Sequence, residues 1–142
     1  MATRDRANTM VRESTMENGD VSCKLIVIID DMRVFTFMRE YVGDTAAIIY
    51  LRALEEAMDF LAAVGNTLVD ELWLDHDLTG DDTIQPVVDL MEKAAESGSP
   101  FNVKKVVICS DDLAGSARIH TALNPWYNVV DMPSDMSWRI LE

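Results

Sequence analysis

The sequence predicts one α/β domain built on a doubly wound, five-stranded parallel sheet. Three observations predict it: short runs of purely apolar residues at strand length, helical periodicity in the segments between them, and aspartates closing several of those runs. A chain of 142 residues suits a single domain, and 49% hydrophobic with 26% charged residues is the composition of a chain that buries a core.

Residues 1–22 mix Arg, Asp, Glu, Ser, Thr and Asn with neither strand nor helix periodicity, so they are expected to form a flexible N-terminal tail ahead of a domain over 23–142. Leu25 to Ile29 is an unbroken aliphatic block ending at Asp30-Asp31, as expected of a strand buried on both faces. After an irregular stretch, Ala46 to Leu51 predicts the second strand. Ala53 to Gly65 then predicts a helix, with Leu54, Ala57, Met58, Leu61 and Ala62 on one face and Gly65 closing it. Leu72-Trp73-Leu74 predicts the third strand, ending in Asp75-His76-Asp77. A helix follows with Ile84, Val87, Val88, Met91 and Ala95 inward, Asp82 or Thr83 as its cap and Pro86 in its first turn. Lys105 to Cys109 is the fourth strand, Leu113 to Leu123 a helix ended by Asn124-Pro125, and Tyr127 to Val130 the last strand.

The formal charge is −13, and the first 22 residues carry only −1 of it, so the acidity belongs to the domain. Such a surface repels phosphate backbones and anionic membranes, which excludes broad nucleic-acid coating and membrane association but leaves room for one phosphate at a local, cation-assisted site. Cys23 and Cys109 are too few for a disulfide framework, no apolar leader follows Met1, and no apolar run approaches membrane-spanning length. A cytoplasmic location is the expectation.

Right-handed crossovers align the C-terminal ends of parallel strands along one edge, where ligands of such folds bind. Asp30 and Asp31 end the first strand there, Asp75 and Asp77 the third, and Ser110, Asp111 and Asp112 the fourth. Crowded carboxylates repel at neutral pH unless some protonate or a cation joins them; a cation is the cheaper solution, and Mg2+ (or Mn2+) takes a few carboxylates together with water and phosphate oxygens. Asp30, Asp31 and Asp75 are therefore the candidate metal ligands, against the plainer reading that all three are solvated loop acids. His76 titrates in the range a general acid needs, but packing beside the strand end accounts for it equally well. Arg33 is a candidate phosphate clamp or simply a counter-charge to the Asp pair. Ser110 has no base adjacent in sequence, so phosphate contact suits it better than nucleophilic attack. Cys109 and Trp73 read as core, and His120 as a packing or solvated helix residue.

Leu25-Ile-Val-Ile-Ile-Asp-Asp-Met-Arg33, Leu74-Asp-His-Asp-Leu78, and Val106-Val-Ile-Cys-Ser110 followed by Gly115 together resemble the cyclic-phosphate-processing receiver domains, relatives of response-regulator receivers, over about residues 24 to 133. The resemblance implies a receiver-like (flavodoxin-like) fold, a magnesium ion on Asp30 and Asp31, Asp75 at the position where receivers accept a phosphoryl group, and Ser110 as the hydroxyl contacting it. Two departures stand out. Met132 occupies the place of the receivers' lysine, and Cys109-Ser110-Asp111-Asp112 replaces a His-Ser motif with an Asn soon after. Asp75-His-Asp-Leu-Thr79 also matches the nucleophile loop of haloacid-dehalogenase-like phosphatases, but there the nucleophile sits on the first core strand, and chain order disfavours it.

The expected function is metal-dependent phosphoesterase chemistry on a small phosphate ester, with Asp75, His76 and Asp77 as the catalytic set and Arg33 and Ser110 on the phosphate. The resemblance adds that this ester is a cyclic nucleotide or a cyclic phosphate end. The alternative is a non-catalytic receiver-like module that holds metal or phosphate, or docks a protein partner.

Overall fold

Ile26, Val27, Ile28 and Ile29 are all fully buried in strand β1 (Leu25–Ile29), at about 1.5–3 kcal/mol for each side chain relative to exposure. A strand covered on both faces belongs inside a sheet, and β1 pairs on both edges. The computed structural model describes residues 23–31, 33–34, 38–110, 112–132 and 139–140. The tail expected over residues 1–22 lies outside them, as does Asp111.

After β1 come β2 (Arg33–Val34), the short helix α1 (Met38–Val42), β3 (Ala47–Leu51), α2 (Leu54–Val64), β4 (Val69–Leu74), α3 (Gln85–Glu96), β5 (Val103–Ile108), α4 (Leu113–Leu123), β6 (Val129–Asp131) and β7 (Arg139–Ile140). Five strands form an all-parallel sheet in the order β3-β1-β4-β5-β6, while β2 and β7 pair antiparallel with each other. This is the doubly wound, flavodoxin-like order.

Strand alternation divides the core into two layers. Val27, Ile29, Leu72, Leu74, Val106 and Ile108 point to the face covered by α2, α3 and α4, where Leu61, Met91 and Ile119 meet them. Ile26, Ile28, Trp73, Val107 and Cys109 point to the other face, where Met38 of α1 packs. Helical cover is thus uneven among the described residues: three helices of eleven or twelve residues on one side, and one of five on the other.

Three local features depart from the sequence expectation. Neither Asp82 nor Thr83 occupies the N-cap of α3; Ile84 does, without a side-chain cap bond, because its fully buried side chain and its N–H bond to the His76 carbonyl (2.8 Å) draw it inward. Thr83 still accepts from the Gln85 N–H at 3.2 Å. Strand β4 starts earlier than expected, at Val69, because its first residues pair with β5 through Val69 and Val103. The last strand begins at Val129 instead of Tyr127. The Tyr127 hydroxyl donates to the Met91 carbonyl and accepts from the Phe101 N–H, so this residue turns into the core as an anchor between α3 and β5.

Sheet order also fixes where a ligand crevice lies. The chain steps from β1 outward to β3, then crosses back over β1 to β4, so the crossovers diverge between β1 and β4 and leave a gap beyond their C-terminal ends. Asp30 and Asp75 are the first residues past those two ends.

Candidate functional site

The ladder continues one residue past each strand. Asp30 N–H donates to the Leu51 carbonyl and Asp75 N–H to the Ile29 carbonyl, each at 3.1 Å, so the backbone that presents the two acids is held in sheet geometry. Because Ile29 pairs with Leu74, Asp30 and Asp75 stand side by side on neighbouring strands. One carboxylate oxygen each from Asp30, Asp31 and Asp75 lies within 4.8 Å of the others. Asp30 is fully buried, Asp75 is 6% exposed, and Asp31 is half-buried. Three carboxylates gathered this closely could hold a cation, and hard oxygen donors suit a hard divalent one. The donor set fits magnesium or manganese.

Strand β4 ends at Leu74, so the alternation that would have placed Asp77 beside Asp75 stops there. Asp77 joins a second cluster, with His76 and Asp112. The segment carrying it is pinned by the buried Leu78, whose N–H donates to the Asp82 carbonyl, and by an isolated bridge between Asp77 and Thr83. His76 is 6% exposed. Its Nδ1 lies 2.9 Å from Asp77 Oδ1 and 3.2 Å from Asp112 Oδ2, and its Nε2 lies 3.3 Å from Arg118 Nη2. A guanidinium only donates, so Nε2 is the acceptor and the ring hydrogen sits on Nδ1, shared between two carboxylates; this tautomer is assigned from the partners.

Helix α4 closes over that ring. A Cβ built on Gly115 would come within 2.5 Å of two His76 ring carbons, so only glycine lets the helix start this near. Asp112 is the N-cap, its carboxylate accepting from the Gly115 N–H at 2.9 Å. That bond first, then the His76 ring, Arg118 and the Ala114 N–H, hold the Asp112 carboxyl below the ordinary carboxylate range against its partial burial. Ser110 lies two residues before Asp112 of the second cluster. Its oxygen accepts from the Asp112 N–H at 3.0 Å, and its hydroxyl hydrogen remains to be donated.

Of the residues expected at the site, Asp30, Asp31 and Asp75 form one group and His76 and Asp77 another. Ser110 lies at the end of β5, half-buried. Arg33 lies in β2 by its backbone, and its side chain falls outside what is described. Met132 directly follows β6, its N–H bonded to the Ile108 carbonyl. Two participants, Arg52 and Arg118, went unnoticed in the sequence, and Gly115 was noticed only as part of a motif. Arg52, one residue past β3, donates to the Asp30 carbonyl at 3.1 Å and stacks over Tyr50, bringing positive charge to the acidic edge. Its position after an apolar run was the available signal. Arg118 lies one turn beyond Gly115, so the Asp112, Gly115, Arg118 spacing could have shown a capped helix start presenting an arginine on the same face. The role of Gly115 as a seat for His76 had no sequence signal.

Residues 25–125 match the family model described as the cyclic-phosphate processing receiver domain. No curated protein and no solved structure matches the chain. Among the described residues no helix is long and apolar enough to cross a membrane.

Proposed function

The chain belongs to the cyclic-phosphate processing receiver family, and on that premise we propose that Asp30, Asp31 and Asp75 hold a divalent cation, Mg2+ or Mn2+, at a site that hydrolyses a small phosphate ester. The observation carrying this reading is the convergence of three carboxylate oxygens within 4.8 Å at the crossover gap, two of them from buried residues. When bound, such an ion neutralises the acids and polarises phosphate oxygens. Asp75 borders the gap and either attacks phosphorus or orients an attacking water. Ser110 donates its hydroxyl hydrogen to a phosphate oxygen, and Arg33 and Arg52 supply compensating positive charge. Asp77, whose side chain is 72% exposed, takes up or returns the proton, and His76 holds Asp77 in place through Nδ1. The family description supports a cyclic phosphate as the form of the ester.

A second reading has its own support. Both ring nitrogens of His76 are engaged by Asp77, Asp112 and Arg118, an arrangement that suits a structural tie between β4 and α4 better than a proton donor to a ligand. A module that holds metal and phosphate without turnover, or that presents them to a protein partner, would use the same acids. Calorimetric titration with Mg2+, followed by assays of cyclic and linear nucleotides for ester cleavage, separates the two. Cleavage lost in Asp75→Asn supports the hydrolase, and metal binding without cleavage of any ester supports the module.

A further inference from the structure

Only four lysines occur in the chain, and three of them, Lys24, Lys104 and Lys105, line one cavity of about 290 Å³ together with Asp70, Glu71 and Asn128. In a chain of formal charge −13, that concentration of ammonium groups runs against the charge of the rest of the molecule. The volume is at the small end of ligand sites. We infer that this cavity binds a small polyanion, one carrying two or more phosphate or carboxylate groups on a short spacer, at a site separate from the aspartates.

Strand direction sets the separation. Lys24 directly precedes β1, Lys104 and Lys105 lie near the start of β5, and Asn128 directly precedes β6, so the lining gathers at the N-terminal ends of the parallel strands. The aspartates follow the C-terminal ends of β1 and β4. Four residues of chain lead from Glu71 to Asp75, about 13 Å at the usual strand rise, which is more than one phosphate can bridge.

The two acids of the lining are engaged by the fold. Asp70 Oδ2 accepts the Leu25 N–H at 2.8 Å, and Glu71 accepts from the Trp73 indole and the Tyr41 hydroxyl and pairs with Lys105. The Lys105 ammonium uses two of its three hydrogens, on Glu71 and on the Tyr41 hydroxyl, each at 3.4 Å, and the third remains for a ligand. Lys24 and Lys104 are exposed, and among the described residues no carboxylate forms an ion pair with either. The Asn128 side-chain amide adds neutral donors. Spacing then selects the number of charges. Strands β1 and β5 are two strands apart, about 10 Å, so Lys24 on one side and Lys104 with Lys105 on the other match two linked anionic groups better than one. Because the net charge repels anions at a distance, affinity comes from these contacts, and each exposed lysine is expected to contribute about tenfold, equivalent to about 1.4 kcal/mol.

The test is calorimetric titration of the full chain with pyrophosphate, citrate and inorganic phosphate, in buffer freed of divalent cations on a chelating resin so that the aspartates repel every probe. Pyrophosphate or citrate is expected to bind at least about tenfold more tightly than inorganic phosphate, and the preference between them tells phosphate from carboxylate chemistry. Lys24→Gln and Lys104→Gln, both at exposed positions outside the core, should each lower that affinity about tenfold while leaving a separate Mg2+ titration as in the native protein, and Asp75→Asn should leave the anion titration unchanged. Binding of neither polyanion, no advantage over inorganic phosphate, or an affinity indifferent to both lysine variants would overturn the lysine site and leave the metal reading standing. Anion binding lost in Asp75→Asn would place the anion at the aspartates and overturn the lysine site as well.

Discussion

Two buried acids lie at the two ends of strand β4, one inside the strand and one just past it, in different company. Glu71, 8% exposed near the start of the strand, receives the Trp73 indole N–H at 2.9 Å and the Tyr41 hydroxyl at 3.2 Å, and pairs with the Lys105 ammonium at 3.4 Å. Asp75, just past the other end, has carboxylate oxygens of Asp30 and Asp31 within 4.8 Å of its own. Burial alone therefore separates nothing; the company does. An acid held by an indole, a hydroxyl and an ammonium is part of the scaffold, whereas a close group of three carboxylates is the kind of cluster that a divalent cation joins.

That contrast can be broken by exchanging each acid for its amide. Asp75→Asn is expected to have the largest effect, weakening Mg2+ binding by more than the roughly 10–100-fold that changes around a ligand set cost, while raising the melting temperature of the metal-free protein through lost repulsion. Calorimetry and thermal melts in EDTA read both. Glu71→Gln should do the reverse, leaving Mg2+ affinity unchanged and lowering stability by about 1–3 kcal/mol, because the partly buried Lys105 loses its counter-charge. Equal behaviour of the two variants would remove the distinction.

Gly115→Ala sharpens the comparison on the helix side. The new methyl collides with the His76 ring, and the helix start must shift at a cost of about 1–3 kcal/mol, read by urea unfolding, with a smaller loss in metal affinity than in Asp75→Asn.

Much of this was legible beforehand. The aliphatic runs gave away the sheet because a strand buried on both faces is built mostly of such residues, and aspartates directly after Ile29 and Leu74 had to lie at one edge once the strands were parallel. The partition of Asp75 from Asp77 was hidden, since it depends on the strand ending at Leu74 and on the turn that Leu78 and Ile84 pin behind it. Tyr127 read as strand because an aromatic suits one, yet its hydroxyl found two backbone partners deeper in the core. Arg52 and Arg118 reach the site through sheet register and helix face, which a linear reading does not supply.

The smallest expected effect is on the acid side. The folded-state pKa of Asp112 lies below its unfolded value, so its contribution to stability is whole above the ordinary carboxylate range, near pH 4, and is lost as pH falls through the lower folded value. Asp112→Ala should flatten that part of the stability profile, measured by urea unfolding between about pH 5 and pH 2. An unchanged slope would show that the cap carries no linkage.

Thermal unfolding in EDTA and in Mg2+ tests most directly whether the three aspartates bind one cation. At a hundredfold excess over its dissociation constant, Mg2+ should stabilise the native protein by about 2.7 kcal/mol, and Asp30→Asn and Asp75→Asn should abolish the shift while Glu71→Gln retains it. A melting temperature indifferent to millimolar Mg2+ and Mn2+, or a shift that persists without Asp30 and Asp75, would contradict it.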